Sequence, residues 1–269
     1  MLELNNVTLV SIDSAHDHCS KNNIRIAAVS KIHKYLSDKI KFGDYLYINP
    51  FNKNKELINE PFEELWPMSN GVGYNPIMWY SNFLIKRLPH LIKTEWYLII
   101  QWDGFPVNEN MWSNEFFEYD FLGGGNSTYN GGFSLRKTET MIELSKIKES
   151  FDTGAEDGFY STFLDNKWMA DKPTPIKLKW ANTSITNKFC NFYGMNGGLK
   201  PNDFFGWHRS PYTSEQFFME IFRDMHIFSP IEIEKLKLYG LVKSVQKELL
   251  IDSYIKEFDI DFNSDFFEL

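Results

Sequence analysis

The chain has 269 residues, of which 43% are hydrophobic and 24% charged, and its formal net charge is −8. That balance is globular, the length suits one large domain or one domain with an appendage, and the acidic excess argues against a general nucleic-acid binder, which carries a basic face. Two cysteines without ligand spacing, Cys19 and Cys190, form neither a metal knuckle nor a disulfide framework, so a reducing compartment is expected.

The start, Met1 to Asn6, lacks the basic segment and apolar core of a signal peptide. No apolar run approaches the ~20 residues of a membrane span. The expectation is a cytoplasmic protein with no membrane span, with peripheral association left open. Aromatic residues make up 17% of the chain, and their first duty is to fill the core.

Val7 to Ile12, apolar and β-branched, reads as a first strand. Ile24, Ala28, Ile32, Tyr35 and Leu36 recur at helical spacing and predict a helix. Tyr45 to Ile48, ended by Asn49-Pro50, predicts a second strand, and strand–helix–strand implies a right-handed crossover joining a parallel pair. Residues 51–73 are polar and rich in turn formers, and read as a loop. Asn75 as cap and Pro76 at the first helical position open a second helix, with Ile77, Tyr80, Leu84 and Leu88 on its apolar face and Pro89 closing it. Trp79 and Tyr80 read as packing residues.

Trp96 to Ile100 is a run of five apolar residues, expected as a short strand buried on both faces. It stops at Gln101-Trp102-Asp103-Gly104-Phe105, and open α/β sheets bind ligands just past the carboxyl ends of such strands. Another strand is expected around Glu118 to Leu122, before Gly123-Gly124-Gly125-Asn126. Gly131 to Arg136 then leads into a helix from about Thr138 to Ile147, and Glu156-Asp157 opens a shorter one through Leu164. After His208, Thr213 with Gln216 and Ser229 with Glu232 are capping boxes. They predict a helical C-terminal stretch that ends in an acidic aromatic tail, Asp259 to Leu269.

Four polar sites thus fall at the ends of elements: Gln101-Trp102-Asp103, Asn130 to Arg136, Glu156-Asp157-Gly158, and Phe205 to Arg209. Each has an ordinary structural explanation. Asp103-Gly104 and Asn130 to Gly132 suit turns, Glu156 and Asp157 suit the positive end of a helix dipole, and a lone His208 suits a core. It is their order that is informative.

That order resembles the nucleotide-sugar-dependent glycosyltransferases of the GT-A fold. More narrowly, the chain is similar to a glycosyltransferase-like family that carries Q-x-D-G-F followed by N-G-G-F-S-L-R, here Gln101-Trp102-Asp103-Gly104-Phe105 and Asn130-Gly131-Gly132-Phe133-Ser134-Leu135-Arg136. The resemblance spans about residues 7–210. It implies an α/β fold with a GT-A-type, Rossmann-like mixed central sheet flanked by helices, in a domain over 1–210, followed by a helical extension over 211–269.

The resemblance also assigns roles. Asp103 corresponds to the carboxylate that binds a divalent metal, Mn2+ or Mg2+, and His208 to a second metal ligand. Gln101 departs from the usual first Asp of an Asp-x-Asp motif, which lowers the negative charge there. Donor binding falls to Asp13, Ser14, Gln101, Trp102, Asp103 and Arg209, with a UDP-sugar the expected donor. Acceptor or sugar binding falls to Asn130, Gly131, Gly132, Phe133 and Arg136, the last also suited to a phosphate or a structural carboxylate. Glu156 and Asp157 correspond to the acidic pair of inverting enzymes, with Asp157 favoured as the base that takes the proton from an acceptor hydroxyl of a glycan or glycoconjugate.

Alternatives on the same fold are a catalytically inactive carbohydrate- or nucleotide-binding protein and a retaining transferase. A nucleotidyltransferase would place a glycine-rich basic loop after its first strand, where this chain reads Ser11-Ile12-Asp13-Ser14-Ala15-His16.

Overall fold

The computed structural model describes residues 1–12, 29, 31–48, 76–124, 130–147, 156–162, 178–191 and 203–208. Its centre is a five-stranded mixed sheet in the order β2-β1-β3-β6-β5. The strands are β1 (Leu2–Ile12), β2 (Ile40–Ile48), β3 (Trp96–Ile100), β5 (Phe121–Gly124) and β6 (Asn130–Lys137). β1 pairs parallel with both β2 and β3, as the strand–helix–strand opening requires, whereas β6 runs antiparallel to β3 and β5.

Both opening strands begin earlier than the apolar pattern suggests. Leu2 to Leu4 pairs with β2 alone, while Thr8 to Ser11 is flanked by β2 and β3. Only the doubly flanked half is buried residue after residue, so only that half carries a continuous apolar signal. β3 falls where the sequence places it, with all five side chains buried.

The two faces of β3 divide the core. Leu98 and Ile100 join Leu9, Ile32, Leu36, Leu135, Ile185 and Phe189 on one side. Tyr97 and Ile99 join Val10, Phe83, Leu84, Met141, Leu144, Phe159 and Tyr160 on the other. Helical residues 31–37 and helix Thr183–Phe189 therefore cover one face, and helices Pro76–Lys86, Thr138–Ser145 and Glu156–Thr162 cover the other. Fully burying each such aliphatic or aromatic side chain contributes about 1.5–3 kcal/mol, and this alternation along β3 locks the three layers together.

Three expectations need correction. Pro89 does not close the second helix, because that helix ends at Lys86 and Pro89 sits in the first turn of a separate short helix, Leu88–Leu91, where its missing N–H costs nothing. The strand expected over 118–122 begins only at Phe121, because Ser113 caps a 3₁₀ turn, Asn114–Glu118, that uses up the preceding residues. Asn130 to Gly132, whose composition suits a turn, instead begin strand β6, Asn130–Lys137.

A second, three-stranded sheet, ordered β4-β8-β7, joins β4 (Gly104–Pro106), β8 (Gly206–His208) and β7 (Cys190–Asn191) at the carboxyl end of β3. Among the described residues no helix is long and apolar enough to cross a membrane. The 51–73 loop, the 211–269 extension with its capping boxes and acidic tail, and the residues Asp13, Ser14 and Arg209 lie outside the described residues.

Candidate active site

The carboxyl end of β3 turns at once into β4. Gln101 and Gly104 exchange both backbone hydrogen bonds, at 2.8 and 3.1 Å, so Trp102 and Asp103 form the tip of a two-residue turn. The Trp102 side chain folds back into the core. Asp103 stays half-exposed, and its Oδ1 is buried without a hydrogen-bond partner among the described residues.

Antiparallel pairing then brings β6 to the same edge. Trp96 faces Lys137 and Ile99 faces Ser134, and continuing that register sets Gly132 opposite Gln101. On its other side β6 pairs Ser134 with Gly123 but Asn130 with Gly124, so Gly131, Gly132 and Phe133 form a bulge. A bulge frees backbone groups from the ladder and re-aims them. Here the Gly131 N–H donates to Asp157 Oδ1 at 2.7 Å, and the Gly131 carbonyl accepts from Ser134 Oγ at 2.9 Å and from the Arg136 guanidinium at 3.2 Å. Asn130 Oδ1 accepts from the Gly132 N–H at 2.8 Å and steadies the turn of chain.

The absent side chains of the glycines let other groups crowd in. A Cβ on Gly132 would stand 2.3 Å from His208 Nε2 and 2.6 Å from Gln101 Oε1. One on Gly104 would stand 2.3 Å from His208 Cδ2, so the imidazole is wedged between the two glycines. Its position follows from strand pairing, since β8 places His208 directly opposite Gly104 and hence beside Asp103. Among the described residues no group of three or more His, Cys, Asp or Glu could hold a metal ion.

The acidic pair opens helix Glu156–Thr162, whose first N–H groups favour carboxylates. The Glu156 N–H donates to Ser81 Oγ at 3.0 Å, which ties this helix start to helix Pro76–Lys86. Glu156 is buried, 3.5 Å from Arg136. Asp157 is half-buried and more accessible. Burial, and then the charge of Asp157, push the Glu156 carboxyl up to about 7, with Arg136 opposing them. Burial also raises Asp157, while the Gly131 N–H and Arg136 pull it back.

Arg136 has no exposed surface. Its Nε donates to Ser134 Oγ at 2.9 Å, and the guanidinium lies between the rings of Phe121 and Tyr160, 4.9 and 4.8 Å from their centroids. Arg136 is therefore turned toward protein groups and not toward a sugar. Phe133 is likewise buried, stacked on Phe189 at 4.9 Å, because the bulge points it into the aromatic cluster below the sheet. Trp102, Phe133 and Arg136, expected from the sequence at the ligand, are thus buried in protein. Gln101, Asp103, Asn130, Gly131, Gly132, Glu156, Asp157 and His208 gather around one edge.

Tyr80 is the residue whose part the sequence conceals. Its hydroxyl accepts from Gln101 Nε2 at 2.9 Å, and burial followed by the charge of Glu156 keeps the phenol protonated, well above its ordinary pKa. Only its place on an otherwise apolar helix face hinted at a polar task. At the carboxyl end of β1, Ser11 Oγ lies 2.7 Å from His33 Nε2, and burial lowers this imidazole to about 4, so it is neutral at pH 7.

A solved structure that resembles the chain is described as the crystal structure of a glycosyltransferase involved in the glycosylation of the major capsid of PBCV-1. The two are 12% identical, with a TM-score of 0.46, over 82% of this chain and 99% of that one. No curated protein matches the chain. Residues 57–201, more than half of the sequence, match the family model described as a protein of unknown function (DUF5672), and the chain belongs to that family.

Proposed function

We propose that the protein is a glycosyltransferase that moves a sugar from a nucleotide donor, a UDP-sugar, to a hydroxyl of a glycan or glycoconjugate, with inversion. The observation that carries this reading is the pairing of a half-buried carboxylate, Asp157, with the N–H of Gly131 at 2.7 Å, on the same sheet edge as Gln101, Asp103 and His208. One oxygen of Asp157 is thereby fixed, and the carboxylate is ready to take a proton from an alcohol as it attacks. Glu156, buried against Arg136, is not placed to reach an acceptor, which supports Asp157 over Glu156 as the base.

Asp103 and His208 fit a divalent cation such as Mn2+ or Mg2+. Asp103 offers a buried carboxylate oxygen without a hydrogen-bond partner among the described residues, and His208 stands across the β4–β8 pair from the next residue. Such a donor set needs diphosphate oxygens to complete it. A cation held there supplies charge neutralisation for a leaving diphosphate. Gln101, fixed by Tyr80, presents its Oε1 toward Gly132, where it can accept from a donor hydroxyl.

Titration of the full chain with UDP and Mn2+ by calorimetry, followed by a screen of UDP-sugars for hydrolysis or transfer, tests the reading. Metal-dependent UDP binding together with turnover supports it. UDP binding with no turnover of any donor, unchanged in Asp157→Asn, favours a binding protein on the same fold, and a product that retains the donor's anomeric configuration removes the inverting assignment.

A further inference from the structure

Gly131, Gly132 and Phe133 pair with neither β3 nor β5, so past Asn130, which pairs with Gly124, the ladders do not fix the residue whose N–H meets Asp157. Something else must. The carbonyl of Gly131 is gripped by Ser134 Oγ and Arg136, at 2.9 and 3.2 Å, while its N–H reaches Asp157. The same guanidinium stands 3.5 Å from Glu156 and donates through Nε to Ser134. Its flat faces fill the slot between Phe121 and Tyr160. A planar fork with donors in fixed directions can serve all of these partners at once, and an ammonium cannot.

We infer that Arg136 is a positioning residue: by holding the Gly131 carbonyl and the Glu156 carboxylate together, it aims the Gly131 N–H at one oxygen of Asp157. The inference rests on the transferase reading only for the identity of the proton that Asp157 takes. A phosphate or sugar ligand does not explain Arg136, because the side chain is sealed from solvent. A purely structural ion pair does not explain it either, since the guanidinium also holds a peptide that forms no ladder bond.

The groups that face the acidic pair are Tyr80 from helix Pro76–Lys86, Tyr97 from β3, Arg136 from β6, and Tyr160 from the pair's own helix. Both tyrosines near the guanidinium, Tyr97 and Tyr160, are raised by burial and stay neutral across the working pH range, so Arg136 is the one cation in this set.

The test is Arg136→Lys in the full chain, which keeps a charge beside Glu156 and loses the fork. Turnover should fall roughly tenfold to a hundredfold, as small misplacements of a base do, with the donor KM within about twofold of the parent. The acid limb of kcat should move to higher pH, because Asp157 loses a hydrogen bond that favours its charged form. Independently of turnover, the backbone amide resonance of Gly131, followed in 15N-labelled protein, should shift in Arg136→Lys and in Asp157→Asn.

A Gly131 resonance and a pH profile unchanged in Arg136→Lys overturn the inference. If that variant does not fold, Arg136→Met/Glu156→Gln removes the buried pair together, a change such pairs tolerate, and must show the same displaced Gly131 resonance. A parent that transfers sugar from no donor, yet shows the Gly131 shift in both variants, would leave the positioning role standing and remove the transferase reading.

Discussion

Replacing Gly131 by alanine puts the packing of the acidic pair to a quantitative test. The new Cβ would lie 2.2 Å from Glu156 Oε1, 2.6 Å from an Arg136 guanidinium nitrogen and 2.8 Å from Asp157 Oδ1, where ordinary contact begins near 3.4 Å. Arg136 cannot retreat, since Phe121 and Tyr160 hold it at 4.9 and 4.8 Å. The carboxylates and the Gly131 backbone must therefore move apart by about an ångström, away from Arg136 as well, stretching both the Arg136–Glu156 pair and the Gly131–Asp157 bond. Overpacking of this kind costs about 1–3 kcal/mol. For a chain of this size that corresponds to a fall in Tm of roughly 2–12 °C by scanning calorimetry. Gly158, one residue past Asp157 on the same exposed helix start, is the matched control. Among the described residues nothing lies within 4 Å of a Cβ there, so Gly158→Ala should be neutral or stabilising by up to about 1 kcal/mol. A Gly131→Ala protein that melts with the parent would refute the packing argument, because the clashes would then have been absorbed without loss.

Further outcomes follow from the same site. Glu156 has its folded pKa raised to about 7 against an ordinary 4.5, so the native state binds the extra proton between those values and stability falls as pH rises through that window. Compared with Glu156→Gln, the parent should lose on the order of 1–3 kcal/mol from pH 4.5 to pH 7.5 in urea titrations, and a constant difference would contradict this. Tyr80→Phe removes the acceptor of the Gln101 amide, and donor affinity should weaken by about 0.5–1.5 kcal/mol, read by calorimetry, with the fold intact. Asp103→Ala should abolish the Mn2+ dependence of UDP binding, and full metal-dependent affinity in that variant would remove Asp103 as a ligand. Phe133→Ala, which empties a fully buried stack on Phe189, should cost about 3–5 kcal/mol in chemical denaturation, well beyond the loss expected of an exposed sugar platform.

The parts of the fold that the sequence revealed are those with an unbroken local signal. Trp96 to Ile100 is buried on both faces, so every residue is apolar and the strand reads directly. Val7 to Ile12, buried throughout and broken only by Thr8 and Ser11, is nearly as legible, while Leu2 to Leu4, paired with β2 alone, is not. β6 was hidden because its two glycines and Asn130 look like a turn, and only pairing with β3 makes them a strand.

The site divides along the same line. Gln101, Asp103, Asp157 and His208, which the fold brings to one edge, all lie at element ends, a position legible in the sequence. The roles of Tyr80 and Arg136 could not be read there, because a hydroxyl reaching Gln101 from another helix and a guanidinium closed between two rings are tertiary facts. That Trp102 and Phe133 are buried in the core could not be read either, because motif membership says nothing about which way a side chain turns at a two-residue turn or a bulge.

The most direct measurement of the central claim is the effect of Asp157→Asn on sugar transfer, set beside its effect on donor binding. The account predicts a fall in kcat of about 10²–10⁴ with UDP and UDP-sugar affinity held near that of the parent, as removal of a general base requires. A variant that still transfers sugar at the parental rate would contradict the assignment of Asp157 as the base.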